Sequence, residues 1–122
     1  MFMKNLIFII FGILFLNSCI YDNEESLYGI SDCDINYVSY EMDISPIISS
    51  HCTMCHGGSF PAAELALETY DQIYQSATDY DGIIDRISRS EGDPSMMPGS
   101  YRIPQCQIDK IVAWVEQGAL NN

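Results

Sequence analysis

Cys52-Thr53-Met54-Cys55-His56 is the stretch on which the reading of this 122-residue chain turns. Two thiols three residues apart share one face of a helical turn, and an imidazole follows directly on the second thiol. The turn closes an apolar stripe: Ile44, Ile47 and Ile48 recur at helical spacing, and the stripe continues through His51, Cys52 and Cys55. Ser45 is the expected hydroxyl N-cap of this helix, Pro46 its first residue and Gly57-Gly58 its stop. A Cys pair at this spacing also serves thiol–disulfide exchange. That chemistry is built between a strand and a helix in a βαβ setting, and no segment here alternates strongly enough for a strand. Asn36 to Met42 is the nearest candidate and reads as an extended lead-in. A structural zinc site needs two further Cys or His ligands, whereas both histidines of the chain, His51 and His56, crowd the same turn.

What remains is the C-x-x-C-H pattern for covalent attachment of a c-type haem. Two sulfurs on one helical face reach two vinyl-derived carbons on one edge of the same macrocycle. The next residue can turn its imidazole beneath the porphyrin plane to the iron. Cys52 and Cys55 are therefore the candidate attachment residues for one haem c, and His56 is a candidate iron ligand. The usual soft partner of His in electron-carrying haem proteins is a Met thioether, which raises the reduction potential. Met96 and Met97 lie 40 and 41 residues beyond His56, in the Gly-, Pro- and Ser-rich stretch Glu91 to Pro104. Met54 sits within the attachment turn and cannot reach across the ring. Met42 precedes the first helix, and Met1 and Met3 fall in the N-terminal leader. Met97 is preferred because Pro98 directly after it stiffens the backbone that aims the sulfur. Met96 stays open as the alternative.

Further helices follow from periodicity. Thr69 is placed to cap one carrying Tyr70, Ile73, Tyr74 and Ala77, and Asp81 a short one with Ile83, Ile84 and Ile87. Ile108, Ile111, Val112 and Val115 mark a last helix over about Gln105 to Gln117, with Gly118 as its stop. The expected fold is all-α, three to five helices around one haem, over residues 33–122. A domain of that size is near the small end of what a hydrophobic core stabilises alone, and a haem at its centre would supply missing apolar volume.

At the other end, Lys4 precedes an unbroken apolar run from Leu6 to Leu16, followed by Ser18 and Cys19. This is the pattern of an export signal, and the run is short of the roughly 20 residues a membrane-spanning helix needs. Leu16-Asn17-Ser18-Cys19 resembles the lipobox of bacterial lipoproteins, in which the Cys carries diacylglycerol and the signal is cut before it. Residues 1–18 are accordingly read as a lipoprotein signal peptide. Residues 19–32, with Asp22, Glu24 and Glu25, are read as an acidic flexible tether. The alternative is a cut near Ser18 that leaves Cys19 as a free thiol. The expected location is the periplasmic side or surface of a bacterial membrane, anchored through Cys19; Ile20 rather than Asp after the Cys favours the outer membrane. Loss of Lys4 takes the formal net charge from −12 to −13, with Arg86, Arg89, Arg102 and Lys110 set against all 17 acidic residues. Such a surface repels nucleic acid and suits a redox partner protein with a basic docking patch. Of the five cysteines, Cys19 goes to lipid and Cys52 and Cys55 to haem. Cys33 and Cys106 remain, expected as a disulfide in an oxidising compartment.

The order of these features, with Leu65-x-Leu67-x-x-Tyr70, Met97-Pro98 and a final helix carrying Trp114 ahead of Gly118-Ala119, resembles small bacterial cytochrome c domains. The likeness is to those of Bacteroidetes and Planctomycetes lipoproteins in particular, and it covers Cys33 to Asn122. The resemblance implies covalent haem at Cys52 and Cys55, axial ligation by His56 and Met97, and packing of the first helix against the last near Trp114. It also implies one-electron transfer without bond chemistry on a substrate, hence a carrier and not an enzyme. Two other functions fit the same residues: a haem-based small-gas sensor with a displaceable sixth ligand, and the dedicated electron-accepting partner of a dehydrogenase or reductase. Trp114 reads as helix packing, the arginines as surface or propionate-neutralising groups, and Tyr70 and Tyr101 as the best haem contacts. Mass spectrometry of the mature protein is expected to find a lipid-modified Cys19 at its amino terminus; an unmodified terminus elsewhere contradicts the lipoprotein reading.

Overall fold

Ser39 starts the first helical segment. Its hydroxyl accepts the Met42 amide at 3.3 Å, and its carbonyl accepts those of Asp43 (3.0 Å) and Ile44 (3.2 Å). In return the Asp43 carboxylate accepts the Ser39 amide at 3.0 Å. This reciprocal arrangement starts a π-helical turn, Tyr40–Ile44, whose Tyr40 and Glu41 amides donate to Asn122, and which runs straight into α1, Ser45–His51. The computed structural model that shows this describes residues 33–122; the signal segment, the tether and Cys19 lie outside the described residues. Ser45 is not the expected cap. Its backbone is already helical (φ −57°, ψ −44°), whereas an N-cap residue is extended. Tyr40 to Met42, placed in the lead-in by sequence, belongs to this turn instead.

Four more α-helices follow among the described residues: α2 (Thr53–His56), α3 (Tyr70–Thr78), α4 (Ile83–Ser88) and α5 (Gln105–Glu116). A short 3-10 turn, Ala62–Glu64, precedes α3. No strand occurs among the described residues. Thr69 caps α3 as expected, with a capping box in which Gln72 Oε1 accepts the Thr69 amide at 3.0 Å. The N-cap of α4 is Gly82 rather than Asp81. The reversal from α3 presses Gly82 onto the Ser76 carbonyl so closely that a Cβ would lie 1.8 Å from the oxygen. Gly118 (φ +101°) ends α5, and the Ala119 amide returns to the Trp114 carbonyl at 2.8 Å. Glu91 to Pro104 holds no regular element, as its composition predicts.

The core centres on Trp114, 0% exposed. Tyr40 and Tyr70 stand 5.8 and 6.3 Å from its ring, and 5.1 Å from each other edge-on. The indole donates to the Leu120 carbonyl (2.9 Å) and the Tyr70 hydroxyl to the Ala119 carbonyl (2.7 Å). Tyr70 therefore serves the helix crossing, and Trp114 is packing, as read. The last helix, α5, packs on the π turn that leads into α1 and on α4, and more lightly on α3. Ile44, Ile48, Ile87 and Ile111 complete the fully buried set.

Two further ties join the chain's halves. The Lys110 ammonium meets the Asp43 carboxylate at 2.6 Å, joining α5 to the π turn. Lys110 holds the Asp43 carboxyl below its ordinary value near 3.8. A depressed carboxyl contributes stability above its ordinary value, and that contribution fades as pH falls through the lowered one. Cys33 and Cys106 form the expected disulfide, with Cα atoms 5.6 Å apart and a sequence separation of 73. Chain-entropy reasoning gives a closure of that length about 4 kcal/mol. The lead-in also pairs with the C-terminal tail, through Val38 and Ile35 with Gln117, and Glu41 with Asn122.

Gly82→Ala must displace backbone, and is expected to cost about 1–3 kcal/mol in thermal unfolding. Gly99→Ala, whose new Cβ meets nothing nearer than 4.0 Å, is expected within about 0.5 kcal/mol of the parent. Equal effects of the two changes would contradict this account of the α3–α4 reversal.

Candidate functional site

The thiol-bearing turn is a tightened continuation of α1. Cys52 leaves ideal helix geometry (φ −118°, ψ −41°), yet its amide still reaches the Ile48 carbonyl at 2.8 Å. Its own carbonyl accepts the amides of Cys55 (3.1 Å) and His56 (2.9 Å), which closes α2. Gly57 then turns the backbone extended, and a Cβ there would lie 2.6 Å from the Thr53 carbonyl. The structure thus brings Cys52, Cys55 and His56 onto one turn. Neither thiol is in a disulfide; Cys55 is exposed and Cys52 half-buried. Burial pushes the Cys52 thiol up to about 11.

His56 is held at two points by the next segment. Its ring Nδ1 lies 3.0 Å from the Leu65 carbonyl, and its own carbonyl accepts the Leu67 amide at 2.7 Å. Leu67 is buried in the core, so the clamp is anchored. A carbonyl partner requires Nδ1 to carry a proton, so in the neutral ring the lone pair lies on Nε2; this is how a second group fixes a metal-ligating imidazole. The sequence singled out Leu65 and Leu67 only by resemblance. The decisive atom is a main-chain oxygen, which no side-chain pattern announces.

The methionine loop is pinned mostly to α4. The Met97 amide donates to the Arg86 carbonyl at 3.1 Å, and Arg102 donates to the carbonyls of Ile87 (3.5 Å) and Arg89 (3.4 Å). Arg89 itself bridges Asp85 (2.8 Å) and Asp93 (3.5 Å). Arg89 and Arg102 are thereby engaged in holding the loop, and Arg86 lies 3.7 Å from Asp85. The adjacent methionines differ sharply: Met96 is 5% exposed and Met97 44%. Tyr101, on the same loop, meets His51 Nδ1 at 2.9 Å.

These residues fit a covalently attached haem by their chemistry. Two free thiols share a turn with an imidazole whose tautomer is set, and large apolar side chains nearby in sequence (Met54, Phe60, Leu65) face solvent. Among the described residues no group of three or more His, Cys, Asp or Glu is placed to hold a bare metal ion. No family model, curated protein or solved structure matches the chain.

Alkylation follows the thiolate and its access. In the haem-free chain near pH 8, a neutral alkylating reagent is expected to label exposed Cys55 well before Cys52, read by peptide mass mapping. The reverse order would contradict the burial that raises Cys52.

Proposed function

We propose that this chain is a one-electron carrier built on a single c-type haem, joined through Cys52 and Cys55 and ligated by His56 and Met97. The observation that carries the reading is the clamp on His56: Nδ1 on the Leu65 carbonyl at 3.0 Å, on the same turn as two free thiols. When bound, the haem supplies a ferric/ferrous couple. The protein's residues supply attachment, orientation and tuning. Cys52, at the junction of α1 and α2, and Cys55, within α2, would hold the macrocycle. His56, oriented by Leu65 and anchored through Leu67, presents Nε2 to the iron. Met97 has side-chain surface to give to a bound group, whereas Met96 already has its surface covered by protein; that division supports Met97 as the thioether ligand. The fold that fits this reading is a small cytochrome c arrangement of five helices.

The setting extends the proposal. Cys19 would carry a lipid anchor, and the disulfide suits an oxidising compartment. Residues 33–85 contain no Lys or Arg, so the attachment turn and α3 lie in a stretch without cations. A redox partner with a basic patch fits that surface better than nucleic acid does. The exposure of Met97 also favours one alternative, a small-gas binder whose sixth ligand is displaced.

The two readings separate on a carbon monoxide titration of the haem-loaded protein. The carrier reading expects the ferrous parent to resist carbon monoxide and the ferric form to show the weak far-red methionine band. Met97→Ala should open the sixth position and lower the reduction potential, because the soft sulfur favours ferrous iron. Met96→Ala should leave spectrum and potential alone and cost about 2–5 kcal/mol of packing. Ready carbon monoxide binding by the parent would favour the gas binder. Loss of the band in Met96→Ala but not in Met97→Ala would move the ligand by one residue.

A further inference from the structure

We infer that Tyr101 and His51 are positioning residues: their hydrogen bond holds the methionine loop against the attachment helix and so keeps Met97 on the iron. This inference rests on the proposed haem ligation. Within Glu91 to Pro104, all but one of the hydrogen bonds that leave the loop toward earlier helices run to α4 and its C-terminal cap Arg89, through Met97, Arg102 and Asp93. Among the described residues one bond alone links the loop to α1 or α2, between the Tyr101 hydroxyl and His51 Nδ1 at 2.9 Å. The rings support it, tilted at 56° with centroids 5.8 Å apart.

Reach makes the bond consequential. Only Pro98, Gly99 and Ser100 separate Met97 from Tyr101, so their Cα atoms lie within roughly 14 Å even fully extended. His51 precedes Cys52 directly and stands five residues, roughly 8 Å of helix rise, before His56. Fixing Tyr101 on His51 therefore confines the Met97 backbone to the neighbourhood of the attachment turn. Ties to α4 alone leave the distance between loop and attachment helix to the packing of α4. A merely structural surface hydrogen bond would affect global unfolding and nothing else. A positioning bond sets the fraction of molecules in which the loop has swung away, and a ligand that needs the open form binds in proportion to that fraction.

The test uses the haem-loaded full chain. Tyr101→Phe removes one hydroxyl. Tyr37→Phe, which breaks the bond between Tyr37 and Asn122 at 2.9 Å, removes one unconnected with the loop. Loss of one ordinary hydrogen bond corresponds to about a fivefold rise in the open fraction. Carbon monoxide association with the ferrous Tyr101→Phe protein should speed up by about that factor. The far-red band should vanish at a lower temperature while global unfolding stays with Tyr37→Phe. His51→Leu should give the same rise, and the double variant should go no further than either single change. Identical behaviour of Tyr101→Phe and Tyr37→Phe, or a double variant with the two effects added, overturns the inference. A parent protein without the methionine band defeats the proposed ligation itself, and this inference with it. A parent with the band and an unchanged Tyr101→Phe defeats the inference alone.

Discussion

One hydrogen bond, from the His56 ring to the Leu65 carbonyl, sets the geometry on which the proposed chemistry depends. Left free, a histidine at the end of a short helix rotates about two side-chain torsions and exchanges its proton between two nitrogens. The Leu65 carbonyl removes the second freedom and restricts the first. That carbonyl is held in turn because Leu67, two residues on, is buried and its amide is spent on the His56 backbone. Ring and main chain are clamped by one three-residue segment, and the segment is clamped by the core.

The core makes this possible in a small domain. Trp114, Tyr40 and Tyr70 form an aromatic group at the crossing of α5, α3 and the π turn, and the Trp114 indole and Tyr70 hydroxyl are both satisfied by nearby carbonyls. The disulfide and the Lys110–Asp43 pair then fasten the lead-in and the π turn to α5. The lead-in and the π turn are thereby joined to one helix. The thiol turn, by contrast, keeps Cys55 and Met54 exposed.

Periodicity and punctuation revealed the helices but not all their starts. Ser45 and Asp81 were reasonable caps by residue type. Both lost to tertiary detail: a reciprocal Ser39–Asp43 arrangement that began the helix earlier, and a backbone contact at Gly82 that only a residue without Cβ tolerates. The disulfide was legible because arithmetic left two cysteines over. That Cys52, Cys55 and His56 share one turn was legible because the three side chains stand at fixed spacing, and the attachment proposed for them rests on that spacing. The Leu65 carbonyl was not, since any residue offers one. The unequal burial of Met96 and Met97 was not either, because neighbours in an irregular loop have no periodic rule that assigns their sides. The His51–Tyr101 contact joins residues 50 apart across two elements and has no local signature.

The central claim is covalent chemistry at two named sulfurs, and intact mass under denaturing conditions addresses it without reference to partner or pathway. Protein produced in cells that attach haem c should keep one haem through unfolding, on a peptide containing Cys52 and Cys55, and Cys52→Ser with Cys55→Ser should abolish it. A parent chain that unfolds to its haem-free mass, with both thiols open to alkylation, would contradict the account.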